Sequence, residues 1–154
     1  MDLVEAENLA LRLMSEQGLV GWSFGFNHRR RALGICNFTD RRIELSRHFV
    51  LRHEVSEVRE TILHEIAHAI AGPKAGHGLA WKAACLRLGI APRVRGEAEM
   101  PEGRWRAVCP GCGVCHSRYR RPMRGRDYYC KACGPERGKL RFRAGVEKDR
   151  VPVQ

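Results

Sequence analysis

The chain has 154 residues, 44% of them hydrophobic, and carries a formal net charge of +11 from 28 Lys and Arg against 17 Asp and Glu. This length supports one ordinary domain, or one small domain with a metal-held module too small for a core of its own. The sequence contains no apolar run near the roughly 18 residues that a spanning helix needs, and its N-terminus lacks the basic and apolar regions of a secretory signal. We therefore expect a cytoplasmic protein, nucleoid-associated if the host is a prokaryote, that does not bind membranes. In that compartment its seven cysteines serve as metal ligands or spare thiols rather than as disulfides.

The positive charge is concentrated in the second part of the chain. Residues 1–98 carry a net charge of +3, whereas residues 99–154 carry +8. A basic segment of this kind favours a polyanionic partner, most often nucleic acid, over an anionic membrane surface.

Apolar spacing in the first part predicts helices and short strands. A first helix over residues 2–17 has Asp2 as its N-cap and ends at Gly18. Three alternating segments predict a small antiparallel three-stranded sheet, with strands at residues 22–26, 32–37 and 42–46. Further helices are predicted at residues 55–71, ended by Gly72-Pro73, and at about 78–88.

The rest of the sequence predicts a second module. Residues 91–103 form a Pro-, Gly- and Glu-rich linker, and a cysteine-rich segment follows from Trp105. We expect a first domain over residues 1–98, a basic module over residues 104–145 and a charged tail over residues 146–154. The fold class is therefore α+β with an appended C-terminal zinc ribbon.

The helix predicted at residues 55–71 contains an H-E-x-x-H motif. His64 and His68 lie one turn apart on one face, so both imidazoles can bind one zinc ion. Glu65 lies at the edge of that face, where it can accept a proton from an activated water. A buried helix rarely carries three such polar groups without a purpose. The motif therefore predicts a catalytic zinc with Glu65 as the catalytic residue.

A catalytic zinc needs a third protein ligand and one open position. Position 74, where one peptidase class has a histidine, is Lys74, and no glutamate follows on the next helix. His77 lies between two glycines just before that helix and is the best third ligand.

The sequence resembles the SprT-like metalloproteases, a group that includes Spartan, which degrades proteins crosslinked to DNA. The resemblance is carried by the strand Ile43-Glu44-Leu45-Ser46, by the H-E-x-x-H motif, and by Gly76-His77-Gly78 with Trp81-Lys82. It implies a zincin-like protease domain, a zinc ion held by His64, His68 and His77, and Glu65 as general base. It also suggests that the strand at residues 43–46 is a free edge that pairs with an extended substrate.

Two C-x-x-C-G sequences, Cys109 to Gly113 and Cys130 to Gly134, form the one internal repeat, with 17 residues between Cys112 and Cys130. The spacing is typical of a structural zinc site with four thiolates. The run Cys112 to His116 also spells a c-type haem attachment motif, and either C-x-x-C pair could be a redox dithiol. Pairing Cys112 with Cys115 would break the repeat, so Cys115 is interpreted as a spare thiol. The ligands are then Cys109, Cys112, Cys130 and Cys133.

Arginines and tyrosines fill the segment between the two cysteine pairs. With a hairpin turn at residues 122–125, they are expected on a two-stranded ribbon suited to phosphate contacts and base stacking without sequence specificity. The predicted DNA contacts are Arg118, Tyr119, Arg120, Arg121, Arg124, Arg126 and Tyr128. Cys36 and Cys85 are interpreted as small core residues.

These features together predict a zinc-dependent endopeptidase acting on DNA-bound or DNA-crosslinked proteins, with one catalytic and one structural zinc. Two alternatives remain. One is a non-enzymatic DNA-binding or adaptor protein with a structural zinc at the H-E-x-x-H motif. The other is a zinc peptidase whose ribbon binds a protein partner instead of DNA.

Overall fold

The computed structural model of the chain describes residues 1–94, 100 and 102–145. It divides into two compact units, Met1–Met100 and Pro101–Gln154. The elements of the first unit are α1 (Leu3–Glu16), β1 (Ser23–Asn27), β2 (Gly34–Asn37), β3 (Arg42–Ser46), α2 (Arg47–Val50), α3 (Val55–Ala71) and α4 (Leu79–Arg87). Those of the second are β4 (Trp105–Val108), β5 (Cys115–Arg118), α5 (Gly134–Arg137) and β6 (Arg143–Ala144). The mixed α and β content predicted from the sequence is confirmed.

The sheet of the first unit is mixed rather than antiparallel. Its strand order is β1-β3-β2, with β1 parallel to β3 and β2 antiparallel to β3. The predicted antiparallel meander is therefore wrong. The chain leaves β1, passes across the carboxyl end of β3, and enters β2 on the far side. The predicted free edge at residues 43–46 is also wrong, because β3 is the central strand and pairs with a neighbour on both sides.

Ser46 holds the crossing connection in place. Its side chain is fully buried, and its hydroxyl donates to the carbonyl oxygen of Arg29 at 2.6 Å. Its backbone N–H donates to the carbonyl oxygen of Leu33 at 2.8 Å. Two points of the connection are thus fixed to the end of β3, which determines on which side β2 enters the sheet.

The core of the first unit lies between the sheet and the helices. On α1 the buried residues follow the predicted helical spacing, and Asp2 caps the helix through a reciprocal capping box with Glu5. On α3 the buried side chains include Ile62, Leu63 and Ile66. Because α3 is buried on several sides, the polar side chains of its motif are held by packing rather than exposed to bulk water.

The second unit has a small sheet of order β5-β4-β6 with antiparallel pairs. Its core is small, with Ala107, Cys109, Cys130 and Leu140 buried together. The predicted two-stranded ribbon within residues 116–129 is wrong, because β5 pairs with β4 and Tyr129 forms an isolated bridge with Lys139. The strand that pairs with β5 is β4, which precedes Cys109. The sequence between the two cysteine pairs therefore could not reveal this pairing.

Part of the sequence-based prediction falls outside the described residues. Within the linker predicted at residues 91–103, the structure does not describe residues 95–99 and 101. The tail predicted at residues 146–154 also lies outside the described residues. Among the described residues, every helix is too short or too polar to cross a bilayer.

Replacement of Ser46 by Ala should destabilise the first unit by roughly 1–1.5 kcal/mol, because the buried hydroxyl of Ser46 and its part-buried hydrogen bond to the carbonyl oxygen of Arg29 are lost. Urea unfolding followed by helical circular dichroism measures this change. Ser23→Ala, at an exposed position of β1, is the matched control and should change the free energy of unfolding by about 0.5 kcal/mol or less. Equal effects of the two substitutions would contradict the anchoring role of Ser46.

Candidate metal centre and active-site cleft

Three histidines converge at one end of a cleft in the first unit. His64 and His68 lie one turn apart on α3, and His77 approaches them from the connection between α3 and α4. The Nε2 atom of His77 lies 3.3 Å from that of His64 and 3.2 Å from that of His68. The structure thus brings together the three predicted ligands of the catalytic metal.

The indole ring of Trp81 lies against all three imidazoles. Trp81 belongs to α4, is fully buried, and has its ring centroid 4.9 Å from that of His64, 5.4 Å from that of His68 and 4.5 Å from that of His77. The indole contacts the three imidazole rings on the side away from the cleft and thereby restricts their orientation. The packing of α3 on α4 therefore sets the positions of the three nitrogens.

The histidine cluster fits a zinc ion. Tetrahedral zinc with Zn–N bonds of about 2.0–2.1 Å places its ligand nitrogens about 3.3–3.4 Å apart, which matches the observed separations. Burial and the neighbouring rings His68 and His77 lower the pKa of His64 to about 4, and burial and His77 also lower the pKa of His68. These shifts favour neutral imidazole, which is the form that binds metal.

Glu65 lies beside the cluster in a nearly enclosed position. It is 6% exposed, and burial raises the pKa of its carboxyl to about 8. The backbone of Gly34 passes close to it, since a Cβ atom at Gly34 would lie 2.7 Å from Oε1 of Glu65. A glycine is thus required for β2 to approach the carboxylate this closely.

The cleft is 1190 Å³ in volume and is bounded by α3 on one side and by β2 with its preceding residues on the other. Glu65 and the three histidines line it together with Gly34, Ile35 and Cys36. Cys36 is therefore not a core residue as predicted. It is half-buried on the cleft wall, and burial together with the charge of Glu65 raises the pKa of its thiol to about 12.

The strand β2 lines this cleft through Gly34, Ile35 and Cys36. In the described part of the chain β2 pairs only with β3, so its other edge has no strand partner. The free edge that sequence reasoning assigned to residues 43–46 is thus found one strand further out, directly beside Glu65.

The second unit brings the four predicted cysteine ligands together. The sulfur atoms of Cys109, Cys112, Cys130 and Cys133 all lie within 4.8 Å of one another, and those of Cys112 and Cys130 are 3.7 Å apart. Tetrahedral zinc with Zn–S bonds of about 2.3 Å requires about 3.75 Å between sulfurs. Cys115 is exposed on β5 and lies outside the cluster, as the repeat predicts.

The two cysteine knuckles have the same backbone geometry. The N–H of Gly113 donates to the carbonyl of Cys109, and the N–H of Gly134 donates to the carbonyl of Cys130, both at 2.9 Å. Both glycines have positive φ, 73° and 66°, which explains why each pair is followed by glycine.

The surroundings shift the pKa values of the clustered thiols in different directions. Burial opposes ionisation of Cys109, but backbone N–H groups of Cys112 and Gly111 lower the pKa of its thiol to about 7. The thiols around Cys133 raise its pKa to about 12. A divalent cation bound among the four sulfurs would lower the pKa values of all of them and so favour four thiolates, which means that the donor set fits a metal.

Some of the predicted DNA-contacting residues pack against aromatic rings, whereas others are exposed to solvent. The guanidinium of Arg118 stacks on the ring of Tyr128 at 4.2 Å and lies 5.6 Å from that of Phe142. Arg126 also lies over Tyr128, and Arg121 lies over Trp105, both at 5.7 Å. Tyr119 is half-buried, whereas Arg120 and Arg124 are exposed. Arg118 and Tyr128 therefore contribute to the packing of the unit itself.

Sequence reasoning missed Gly34 and the full role of Trp81. The signal for Gly34 was a single glycine within an apolar strand, which often marks a close approach of another group. Trp81 enters the sequence analysis only through the family resemblance, whereas in the structure its ring contacts all three imidazoles.

Metal analysis should find two zinc ions per chain. His77→Ala and Cys112→Ser should each reduce the content to one, because each removes a ligand from a different cluster. Cys115→Ser is the matched control for Cys112→Ser and should leave two. Loss of zinc from the Cys115 variant, or full retention in the His77 variant, would contradict the assignments. Elemental analysis by mass spectrometry provides the measurement.

Comparison with known proteins relates the first unit to one family. The SprT-like family model matches residues 6–100, which contain most of α1, the mixed sheet, all three clustered histidines and Glu65. The searches of curated proteins and of solved structures gave no significant match. The match covers more than half of the chain and confirms the resemblance inferred from the sequence. The chain thus belongs to the SprT-like family, whose members are of the zinc metallopeptidase type.

Proposed function

We propose that the chain is a zinc-dependent endopeptidase that cleaves DNA-bound or DNA-crosslinked proteins. The observation that carries the proposal is the convergence of three Nε2 atoms beside the buried Glu65, next to the edge of β2 that has no strand partner among the described residues. Among the described residues the cluster offers three ligand groups, which leaves a fourth coordination position for chemistry. This favours a catalytic site over a closed structural one.

The chemistry divides between the ion and the side chains. His64, His68 and His77 would hold the ion, and a bound zinc supplies Lewis-acid activation of water and of a peptide carbonyl. Glu65 accepts the proton of the attacking water and then donates it to the amine that leaves the cleaved bond. Burial raises the pKa of this carboxyl to about 8, and a nearby cation acts in the opposite direction, so both protonation states are accessible near neutral pH.

The edge of β2 is proposed to hold the substrate. An extended peptide that adds to this edge would satisfy backbone groups of β2 in the manner of an additional strand. Because Gly34 lies against Glu65, a peptide bond held there would lie next to the carboxylate. Recognition through backbone hydrogen bonds would accept many sequences, which suits an enzyme that meets varied proteins.

The DNA part of the proposal rests on the second unit. Residues 99–154 carry a net charge of +8, and Arg120 and Arg124 are exposed to solvent. Arginines of this kind contact phosphates, and the aromatic side chains of the unit offer surfaces for base stacking. The one helix described in this unit, α5, has four residues, which is too short for reading a DNA groove.

The experiment measures cleavage of a DNA-binding protein by the zinc-loaded chain, without DNA and with single- or double-stranded DNA. Cleavage should require zinc and increase when DNA is present. Glu65→Gln should reduce the rate by about a hundredfold or more while zinc content stays at wild-type level. Activity that is indifferent to DNA would overturn the DNA part, and equal rates in the Glu65 variant would overturn the enzyme part.

A further inference from the structure

A second group of basic side chains belongs to the first unit, whereas the cysteine module belongs to the second. The connection after β1 supplies His28 and Arg30, and α2 with the residues after it supplies Arg47, His48 and Arg52. We name these five residues the α2 basic cluster. The topology places them together, because the connection crosses the carboxyl end of β3 and α2 begins there.

Several contacts show that these side chains are close to one another. The rings of His28 and His48 have centroids 6.2 Å apart. A guanidinium nitrogen of Arg52 donates to the carbonyl oxygen of His48 at 3.2 Å. Burial lowers the pKa of His48, and the charges of Arg30, Arg52, His28 and Arg47 lower it further. The cluster is thus a concentration of positive charge centred on His48.

The backbone that carries the cluster is anchored. Besides the bond from Ser46 to the carbonyl of Arg29, the N–H of Arg29 donates to the side-chain oxygen of Asn27 at 3.0 Å. Phe49 and Val50, on the inner side of α2, are buried in the core. The anchoring holds these basic groups close together, and their summed positive charge would attract an anionic ligand.

We propose that the α2 basic cluster binds the phosphate backbone of a nucleic acid. The arginines supply planar donors that match phosphate oxygens, and their spread over two elements suits successive phosphates on one strand. No large hydrophobic side chain among the described residues 27–52 is exposed, which argues against insertion into a membrane surface. The cluster is therefore a second nucleic-acid contact, on the unit that carries the metal centre.

The α2 basic cluster is adjacent to the cleft along the chain. Arg31 follows the cluster residue Arg30 directly and lines the cleft at the end where β2 begins. A nucleic acid bound to the cluster would therefore run past one end of the proposed peptide site. This role rests on the proposed function, whereas the binding itself can be tested without any cleavage.

The test measures binding of fluorescently labelled 20-nucleotide DNA, single- and double-stranded, by anisotropy at several salt concentrations. The full-length, zinc-loaded chain carries Glu65→Gln so that cleavage does not contribute. Arg30→Gln combined with Arg47→Gln should weaken binding by roughly tenfold and reduce the slope of log affinity against log salt by about 2, because two phosphate contacts are lost. The matched control, Arg12→Gln combined with Arg87→Gln, removes the same charge from exposed positions elsewhere and should change neither quantity.

The possible outcomes separate this inference from the proposed function. An equal loss of DNA affinity in both double variants would show that only the net charge of the protein matters, and it would overturn the inference. No loss in the cluster variant, with loss in Arg120→Gln combined with Arg124→Gln, would overturn it and leave the DNA-dependent peptidase standing. Absence of DNA binding by the parent protein would overturn both. Equally tight binding of polyglutamate or of anionic vesicles at the same ionic strength would overturn the assignment to nucleic acid.

A second measurement does not depend on the folding of a variant. Bound phosphate stabilises the charged form of a nearby imidazole, so addition of DNA should raise the pKa of His48. Titration of the histidine side chains by NMR, with and without DNA, follows this change. A pKa of His48 that is unaltered by saturating DNA would contradict direct contact.

Discussion

The Nε2 atom of His77 lies 3.2–3.3 Å from those of His68 and His64, and this convergence of three imidazoles is the constraint on which the active-site region depends. A neutral imidazole has one N–H group, so three facing Nε2 atoms cannot all be satisfied by hydrogen bonds to one another. One cation at their centre satisfies all three, and the lowered pKa values of His64 and His68 keep those rings in the binding form. Trp81 packs against all three rings and holds this geometry. Because Trp81 belongs to α4 and two of the histidines belong to α3, the packing of α4 on α3 also positions the metal ligands.

The same packing positions the rest of the cleft. Since α3 carries Glu65 as well as two of the histidines, the contact of α3 with the sheet determines how close β2 comes to the carboxylate. Gly34 permits that approach, and Ser46 fixes the connection that leads into β2. The crossing connection also assembles the α2 basic cluster, so one topological feature places both an unpaired strand edge and a patch of positive charge on the same unit.

The features that sequence predicted correctly are local ones. The spacing of His64 and His68 on α3, the capping of α1 by Asp2, and the two cysteine pairs with glycines at positive φ each depend on residues a few positions apart. Alternation of apolar residues revealed the strands but not their neighbours, because it defines the faces of a strand and not its pairing partner. The parallel pairing of β1 with β3, the pairing of β5 with β4, and the stacking of Arg118 on Tyr128 all join distant segments. The short helix α2 carried no periodic signal, since it spans four residues.

The most direct test of the proposed catalytic zinc site is a crystal structure of the zinc-loaded chain with anomalous diffraction measured at the zinc absorption edge. We predict one peak about 2.0–2.1 Å from the Nε2 atoms of His64, His68 and His77, with its fourth position open to solvent beside Glu65, and a second peak among the four cysteine sulfurs. A fourth protein ligand closing the histidine site, or no peak there at full zinc loading, would contradict it.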